Sequence, residues 1–316
     1  MKLHMRSLLA FLALFLLSNL VQAERLSPAQ KLKKQLSEFK TEQDIVYKTV
    51  GGKKLKLTIF LPEKSSGTPR PWMLYTHGGG WSGGTPLNIL KGSFKGTLEE
   101  LLEAGVVCAT VQYRLSKGKA TVVQSVEDCR DAARFLVKNA SKWNLDPKRA
   151  GVWGGSAGGH LSLMTALAND EIFPDGEQLL AKIVPRFCCV VSYYPLTTFE
   201  RMDLLKGTNF ESPEKFIPIL GGLPKEKPEV AKKLSPTNYL DSSIPPVLLI
   251  HGDKDKVIPL SQSELFLKEA KKAKASVQLL TVKGAGHSLG GKKLSPSLLE
   301  VNKQAANFVL QNLKEQ

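Results

Sequence analysis

The chain has 316 residues, of which 42% are hydrophobic, and its 44 lysine and arginine residues outnumber its 29 aspartate and glutamate residues. This composition excludes a disordered chain, a collagen-like repeat and a small fold held together by disulfides. A chain of this size and hydrophobic content is expected to form one globular domain, or two at most.

The first predicted element is a secretory signal peptide at residues 1–23. Two basic residues precede an apolar run at residues 8–17, and Val21 and Ala23 supply small side chains at the −3 and −1 positions of a cleavage site. The apolar run is shorter than the roughly 20 residues of a membrane-spanning helix, and an uncleaved anchor is the alternative. We therefore expect residues 24–316 to be the mature protein, secreted or periplasmic and without stable membrane insertion.

The excess positive charge comes mainly from lysines in polar segments such as residues 31–34, 268–274 and 292–293. Neither interleaved aromatic residues nor a nucleic-acid motif accompanies them, so we expect a solvated surface and no nucleic-acid partner. The alternative is attraction to polyanions such as acidic polysaccharide, cell wall or anionic lipid, which salt would weaken. The oligomeric state stays open at this point.

Four cysteines follow the leader, at spacings that match neither a zinc site nor a redox motif. Cys108, Cys188 and Cys189 lie in apolar runs typical of strands, and Cys129 lies in a helical pattern. This placement favours buried free thiols, although export permits a disulfide.

Short apolar strands alternate with amphipathic helices along the rest of the chain. This pattern predicts an α/β fold with a mainly parallel twisted sheet, helices on both faces, and function in loops at the carboxyl ends of the strands. The predicted strands span residues 55–61, 72–76, 106–113, 150–154, 187–193, 247–250 and 277–282. The predicted helices span residues 27–39, 88–104, 122–139, 157–169, 261–273 and 297–313.

One segment, at about residues 195–245, departs from the alternation. It is rich in proline and contains Gly221-Gly222, so long regular helices are not expected there. A segment of this length between two core strands is usually functional when it is ordered. We predict an irregular flap over the edge of the sheet, as an insertion in a single domain.

The first motif with chemical meaning is His77-Gly78-Gly79-Gly80-Trp81, directly after a predicted strand. Its glycines allow the backbone to present N–H groups to a developing oxyanion. A Gly-rich turn without a chemical role is the alternative.

The second motif is a serine flanked by glycines, Gly154-Gly155-Ser156-Ala157-Gly158, between a predicted strand and a predicted helix. A serine on such a sharp turn needs small neighbours, because added Cβ atoms would collide with the sheet or the helix. Its Oγ is then exposed near a helix N-terminus, which favours negative charge. The motif predicts Ser156 as a nucleophile.

A nucleophilic serine needs a base, and four histidines follow the leader. His287 is the predicted base, because it lies in the mobile turn Gly284-Ala285-Gly286-His287 after the last strand. A base that reaches back over the sheet to the serine is expected at this position. Of the others, His77 is expected to order its loop, His160 to point away from Ser156 or pack under it, and His251 to be structural.

The acid that orients the base is expected between the serine and the histidine in the chain. The strand at 247–250 leads into two candidates, Asp253 and Asp255. Asp255 is favoured because it stands farther into the loop, whereas Asp253 can cap the turn. Asp128 belongs to a predicted helix and is expected to cap or pair locally.

Together these motifs resemble those of serine esterases of the α/β-hydrolase fold, near the hormone-sensitive-lipase-like carboxylesterases and most similar to the bifunctional acetylxylan and feruloyl esterase type. The resemblance covers about residues 55–312. The matching segments are His77–Trp81, Tyr113–Leu115, Asp128 with Ala132–Leu136, Gly154–Gly159, Asp253–Pro259 and Gly284–His287.

The resemblance implies the same catalytic triad that the residues indicated. It also implies an oxyanion hole made by the backbone N–H groups of Gly79, Gly80 and Ala157, and a reaction with neither metal nor organic cofactor. Because little chain precedes the first predicted strand, a large N-terminal lid is not expected.

The expected substrates are esters with short acyl groups, such as acetyl or feruloyl esters, on polysaccharides such as xylan. This expectation rests on the limited lid, the export signal and the resemblance. Trp81, Phe199 and Phe216 are predicted to line the acyl or sugar pocket, with packing as their alternative role.

Three other functions are alternatives for this set of motifs. An arylformamidase-like C–N hydrolase shares the motifs, although a secreted protein fits intracellular catabolism poorly. A prolyl-oligopeptidase-type peptidase shares the triad order, but the chain leaves no room for a gating propeller. A non-catalytic binding protein of the hydrolase fold is disfavoured by a complete set of Ser156, Asp255 and His287.

Overall fold

The computed structural model describes residues 27–169, 173, 180 and 182–314, and the predicted signal peptide lies outside these residues. The chain divides into two compact units, residues 1–39 and residues 40–316. In the first unit, helix α1 (Pro28–Leu36) begins after Ser27. The side chain of Ser27 accepts a hydrogen bond from the amide of Gln30, and the side chain of Gln30 accepts one from the amide of Ser27. This capping box determines where α1 begins.

The second unit contains an eight-stranded sheet. Its strands are β1 (Thr41–Val50), β2 (Lys53–Phe60), β3 (Arg70–Thr76), β4 (Val107–Val111), β5 (Leu145–Gly155), β6 (Phe187–Tyr193), β7 (Val247–Gly252) and β8 (Val277–Val282). Their order in the sheet is β1-β2-β4-β3-β5-β6-β7-β8. β2 pairs antiparallel with β1 and with β4, and all the remaining pairs are parallel.

Helices follow most of the parallel strands. They are α2 (Gly92–Glu103), α3 (Val122–Lys138), α4 (Ala157–Leu167), α5 (Ile217–Leu220), α6 (Pro228–Lys233), α7 (Ser261–Lys272) and α8 (Leu298–Asn312). Parallel strands need such crossover connections, and the crossovers bury the sheet on both faces.

Neighbouring residues of β5 show the two buried faces. Val152 belongs to one core cluster together with Leu136 of α3 and Leu161 of α4. The ring of Trp153, the next residue, lies 6.1 Å from the ring of Phe94 in α2, measured between centroids. Successive side chains of a strand point to opposite faces, so this contact places α2 across the sheet from α3 and α4. The prediction of an α/β fold with helices on both faces is confirmed.

Two elements differ from their predictions. β1 was not predicted, because its sequence TEQDIVYKTV mixes charged and apolar residues without regular alternation, and in the structure it is a partly exposed edge strand. The helix predicted at 88–104 is split into a 3₁₀ turn at Pro86–Leu90 and α2. The break falls where Lys91 is extended and Gly92 takes a positive φ of 54°, a backbone conformation that glycine adopts without steric cost.

The proline-rich segment between β6 and β7 holds short elements, as predicted. Apart from α5 and α6, which have four and six residues, it contains 3₁₀ turns at Met202–Leu205, Pro213–Phe216 and Pro236–Tyr239. We call residues 195–245 the flap. The four cysteines are free in the structure, as predicted, and Cys188 alone among them is partly exposed. Among the described residues, no helix is both long and apolar enough to cross a membrane.

Candidate active site

Ser156 lies on the sharp turn that joins β5 to α4. Its backbone has φ 58° and ψ −123°, a region that residues with a side chain rarely adopt. The turn is possible because its neighbours are glycines: a Cβ atom on Gly158 would lie 2.0 Å from the carbonyl oxygen of Thr76, and one on Gly154 would lie 2.4 Å from the same atom. The strained turn therefore presents the Ser156 hydroxyl at the carboxyl edge of the sheet.

The structure brings the three predicted triad residues together. Nε2 of His287 lies 3.0 Å from Oγ of Ser156, and Nδ1 of His287 lies 2.7 Å from Oδ2 of Asp255. Both are hydrogen-bond distances. Since the carboxylate only accepts, Nδ1 carries a proton and donates a hydrogen bond to Asp255, which leaves Nε2 to accept a hydrogen bond from the Ser156 hydroxyl. This is the proton arrangement of a serine nucleophile with its base.

Asp255 is held as an anion. Its Oδ1 accepts hydrogen bonds from the amides of Val257 and Ile258, at 2.8 and 3.0 Å. Burial by itself would raise the pKa of Asp255, but the ring N–H groups of His251 and His287 and the Val257 amide outweigh it and hold the pKa well below its usual value. The carboxylate is therefore available to His287 over the whole physiological pH range.

The two other acidic candidates lie elsewhere. Oδ1 of Asp253 accepts a hydrogen bond from the amide of Gly284 at 2.7 Å, so Asp253 ties two loops together. Asp128 forms ion pairs with Lys48 and Arg114, at 2.9 and 2.8 Å. These are not the local contacts that the sequence predicted, because Gly284 is 31 residues from Asp253 and Lys48 is 80 residues from Asp128.

His77 orders the segment at residues 77–81, which we call the glycine loop, as predicted. Its ring stacks on that of Tyr113 with centroids 4.2 Å apart, and the Tyr113 hydroxyl donates to the His77 carbonyl at 2.7 Å. Burial lowers the pKa of His77 to about 4, despite the opposing hydrogen bond with Gly78. His77 is consequently neutral at pH 7 and supports the backbone that follows it.

His160 is fully buried in α4, one turn after Ser156. Its Nδ1 accepts a hydrogen bond from the indole N–H of Trp81 at 3.1 Å, and its Nε2 donates to the carbonyl of Leu234 at 2.8 Å. Burial lowers the pKa of His160 to about 4. The neutral ring therefore joins the glycine loop to the flap.

His251, expected to be structural, lies closer to the chemistry than predicted. Its Nε2 is 3.4 Å from Oδ2 of Asp255, the oxygen that also accepts from His287. The one signal in the sequence is the short spacing between His251 and Asp255. This spacing does not determine how the loop between them folds, so it could not show that the two side chains meet.

Two of the three residues predicted to form the oxyanion hole line the cavity, and the third directly follows Ser156. Gly79 and Gly80 line the cavity in front of Ser156, with φ of 128° and 59°, and Ala157 is the first residue of α4. Within the described part of the chain, none of these three amides donates to another protein group. Free N–H groups beside a nucleophile can stabilise a developing oxyanion.

A cavity of about 500 Å³ opens in front of Ser156. A volume of this order is typical of small-molecule sites. Its walls include the aromatic rings of Tyr75, Phe94, Tyr194 and Phe210, and Lys91 also lines it. Tyr194 packs edge-on against the ring of His287, with centroids 4.7 Å apart.

The predicted pocket residues Trp81, Phe199 and Phe216 do not lie on the cavity wall. All three are almost completely buried, and their rings form a continuous aromatic cluster. The prediction is corrected for a physical reason: these large apolar surfaces are buried between the glycine loop and the flap. Tyr194 and Phe210, which sequence reasoning missed, line the cavity instead. For Tyr194 a signal was available, since it directly follows a strand at the carboxyl edge of the sheet.

Comparison with known sequences is consistent with this geometry. The family described as BD-FAE matches residues 57–270. The chain is similar to esterase LipQ of Mycobacterium tuberculosis, 26% identical over 68% of this chain and 49% of that protein. It is also similar to an acetylxylan esterase of Xylanibacter ruminicola, 26% identical over 66% of this chain and 38% of that protein. The chain thus spans about half the length of the first of these relatives and less than half the length of the second.

Solved structures show the same fold. Esterase Est2 of Thermogutta terrifontis aligns with a TM-score of 0.68 and 25% identity, over 86% of this chain and 91% of Est2. A truncated carbohydrate esterase from gut microbiota aligns with a TM-score of 0.74 and 23% identity, over 87% of this chain and 97% of that one. The α/β-hydrolase fold is thereby confirmed.

Proposed function

The chain belongs to the BD-FAE family, and on that premise we propose that it is a serine carboxylesterase that hydrolyses short-chain acyl esters through an acyl-enzyme. Ser156 is the nucleophile, His287 the general base and acid, and Asp255 the orienting carboxylate. The oxyanion hole consists of the N–H groups of Gly79, Gly80 and Ala157.

One observation carries this proposal. The Ser156 hydroxyl, the His287 imidazole and the Asp255 carboxylate form an unbroken hydrogen-bonded chain, with distances of 3.0 and 2.7 Å, that ends in an open cavity. A serine in this arrangement loses its proton to the imidazole as it attacks a carbonyl carbon.

In the acylation step, Ser156 Oγ attacks the ester carbonyl while Nε2 of His287 takes the hydroxyl proton. The carbonyl oxygen becomes an oxyanion that the three backbone N–H groups stabilise. The imidazolium donates its new proton to the leaving alcohol, and the acyl group remains on Ser156. Asp255 keeps the ring in the correct tautomer and stabilises its positive charge throughout.

In the deacylation step, a water molecule takes the place of the alcohol. His287 removes a proton from this water as its oxygen attacks the acyl carbon. The second oxyanion collapses, and the carboxylic acid leaves as Ser156 regains its proton. Neither step needs a metal ion or an organic cofactor.

We propose acetyl and feruloyl esters, carried by polysaccharides such as xylan, as the substrates. The aromatic rings on the cavity wall support a pocket for an acetyl or an aromatic acyl group. The relative named acetylxylan esterase and the neighbour named carbohydrate esterase support a carbohydrate alcohol. Cleavage of the leader after Ala23 would place the mature enzyme outside the cytoplasm, where such polymers occur, as a protein without membrane insertion and without a nucleic-acid partner.

The test is hydrolysis of p-nitrophenyl acetate, butyrate and decanoate by the mature protein, with methyl ferulate and acetylated xylan as further substrates. We expect acetate and butyrate to be cleaved faster than decanoate. Ser156→Ala should abolish the activity because it removes the hydroxyl that contacts Nε2 of His287. Release of acetate from xylan and of ferulate from its methyl ester measures the two acyl preferences directly.

Two outcomes would contradict the proposal. Cleavage of N-formylkynurenine by a folded protein that is silent on every ester would favour the arylformamidase-like C–N hydrolase. Silence on all of these substrates, together with no labelling of Ser156 by a fluorophosphonate, would favour a binding protein of the hydrolase fold.

A further inference from the structure

The side chain of His251 makes a set of buried contacts that the proposed mechanism does not use. His251 is the fifth residue of β7, and its ring is 0% exposed. Nε2 lies 2.8 Å from the carbonyl oxygen of Ile258 and 3.4 Å from Oδ2 of Asp255. Nδ1 lies 2.8 Å from Oγ of Ser263, a buried residue of α7.

These partners determine where the protons lie. The Ile258 carbonyl and the Asp255 carboxylate only accept, so Nε2 must carry a proton whether the ring is neutral or charged. The shorter contact, to Ile258, is the hydrogen bond, and the longer one brings the positive end of the N–H dipole close to Oδ2. In the neutral ring, Nδ1 accepts a hydrogen bond from the Ser263 hydroxyl.

The contacts of His251 enclose the turn that holds Asp255. Ile258, whose carbonyl accepts from His251, donates its own amide to Oδ1 of Asp255. The other carboxylate oxygen, Oδ2, lies between two imidazole rings. Both carboxylate oxygens therefore depend on His251, one directly and one through the backbone of Ile258.

We propose that His251 is a positioning residue for the reaction: it fixes the rotation of the Asp255 carboxylate toward His287 and weakens the basicity of Oδ2. This inference rests on the proposed serine esterase function. Without His251, the carboxylate would be free to rotate and would bind the protonated base more strongly. Catalysis would slow, and the base would stay protonated up to a higher pH.

A matched pair of variants tests this role on p-nitrophenyl acetate. In His251→Gln the side-chain amide N–H can occupy the position of Nε2, so it keeps the donor to Ile258 and Asp255. In His251→Asn the side chain still reaches Ser263 but is too short to reach Asp255. The titratable groups around the carboxylate are His251, His287 and Tyr194, and burial raises the pKa of Tyr194, which stays neutral throughout.

For His251→Asn we expect kcat to fall by about tenfold or more, the effect of losing one interaction with a charged group. KM should change little, and the acidic limb of the pH dependence of kcat/KM should move to higher pH. His251→Gln should restore most of the kcat and the position of the limb. A purely structural histidine would instead lower the melting temperature and leave the limb of the folded enzyme in place.

The inference is overturned if folded His251→Asn keeps the wild-type kcat and acidic limb, or if the Asn and Gln variants lose kcat equally. Should His251→Asn not fold, Ser263→Ala takes its place, because the ring then loses the partner of Nδ1. We expect a loss of about threefold in kcat, and unchanged kinetics would contradict the role. A wild-type enzyme without esterase activity would refute the proposed function, whereas an active wild type with unaffected variants would refute only the role of His251.

Discussion

The buried carboxylate of Asp255 and the buried carboxylates of Asp128 and Asp131 have different kinds of partner. Asp255 is hydrogen-bonded to His287, which lines the cavity, and its side-chain partners are two imidazoles, those of His251 and His287. Asp128 and Asp131 in α3 are fully buried, and their partners include the permanently charged groups of Lys48, Arg114 and Arg134.

The electrostatic consequences of the two arrangements differ. Burial by itself would lower the pKa of Lys48, but Asp128 and Asp131 outweigh it and raise this pKa, so Lys48 stays charged. A lysine or arginine partner does not change its charge near neutral pH, whereas an imidazole can gain and lose a proton there. The ion network, formed by Asp128 and Asp131 with their lysine and arginine partners, can therefore only stabilise the fold. Asp255 and its imidazole partners can also move a proton.

The largest predicted effect tests the reactive side of this comparison. Asp255→Asn should lower kcat for p-nitrophenyl acetate by about 10⁴-fold, because the amide favours the wrong tautomer of His287. The protein should remain folded by circular dichroism. Asp253→Asn is the matched control, since the amide oxygen can still accept from Gly284. Equal losses of kcat in both variants would show that Asp255 does not have the orienting role.

The ion network predicts the opposite phenotype. Asp128→Asn leaves the buried ammonium of Lys48 and the partly buried guanidinium of Arg114 undercompensated, so the free energy of unfolding in urea should fall by about 3–5 kcal/mol. The kcat of the molecules that remain folded should match the wild type. Asp203→Asn removes an exposed pair with Arg201 and should leave the free energy of unfolding almost unchanged, because solvent screens exposed pairs. A loss of kcat without loss of stability in Asp128→Asn would break the comparison.

The pH dependence of stability distinguishes a buried side chain that titrates, here His160, from the permanently charged groups of the ion network. The pKa of His160 is lowered to about 4 in the folded protein, while in the unfolded chain it is about 6.5. Between these values only the unfolded chain binds the proton. The contribution of His160 to the free energy of unfolding is therefore complete above pH 6.5, and about 3 kcal/mol of it is lost as the pH falls to 4.

Urea unfolding of the wild type and of His160→Gln measures this loss. The glutamine does not titrate, and its stability should therefore fall less than that of the wild type between pH 7 and pH 4. Parallel pH profiles of the two proteins would show that His160 does not contribute as predicted.

The smallest predicted effect concerns the contact between the glycine loop and the flap. Trp81→Phe keeps the aromatic packing and removes the N–H that donates to His160, which should cost about 1 kcal/mol of stability and a few-fold in kcat. Trp72→Phe, which removes an indole donor to the carbonyl of Asp146, is the control and should affect stability without affecting kcat. An equal kcat in both variants would show that the contact of Trp81 with His160 does not support the glycine loop.

Much of the fold and of the candidate site followed from local patterns. The glycines around Ser156 and in the loop at residues 77–81 have a steric reason that can be read from the sequence, and the structure brings Ser156, Asp255 and His287 together. β1 was missed because an edge strand needs no regular alternation of apolar residues. The aromatic residues were misplaced because an aromatic side chain suits a core as well as a pocket.

The sequence by itself therefore determined the α/β alternation, the irregular flap and the residue types of the candidate triad. Each of these depends on backbone preferences and short spacings within a few residues. Only the tertiary structure decided that His251 lies beside Asp255, that Tyr194 and Phe210 line the cavity, and that Trp81 packs against His160. These contacts join segments far apart in the chain or depend on the path of a loop, so they form only when the sheet brings its strand ends and loops together.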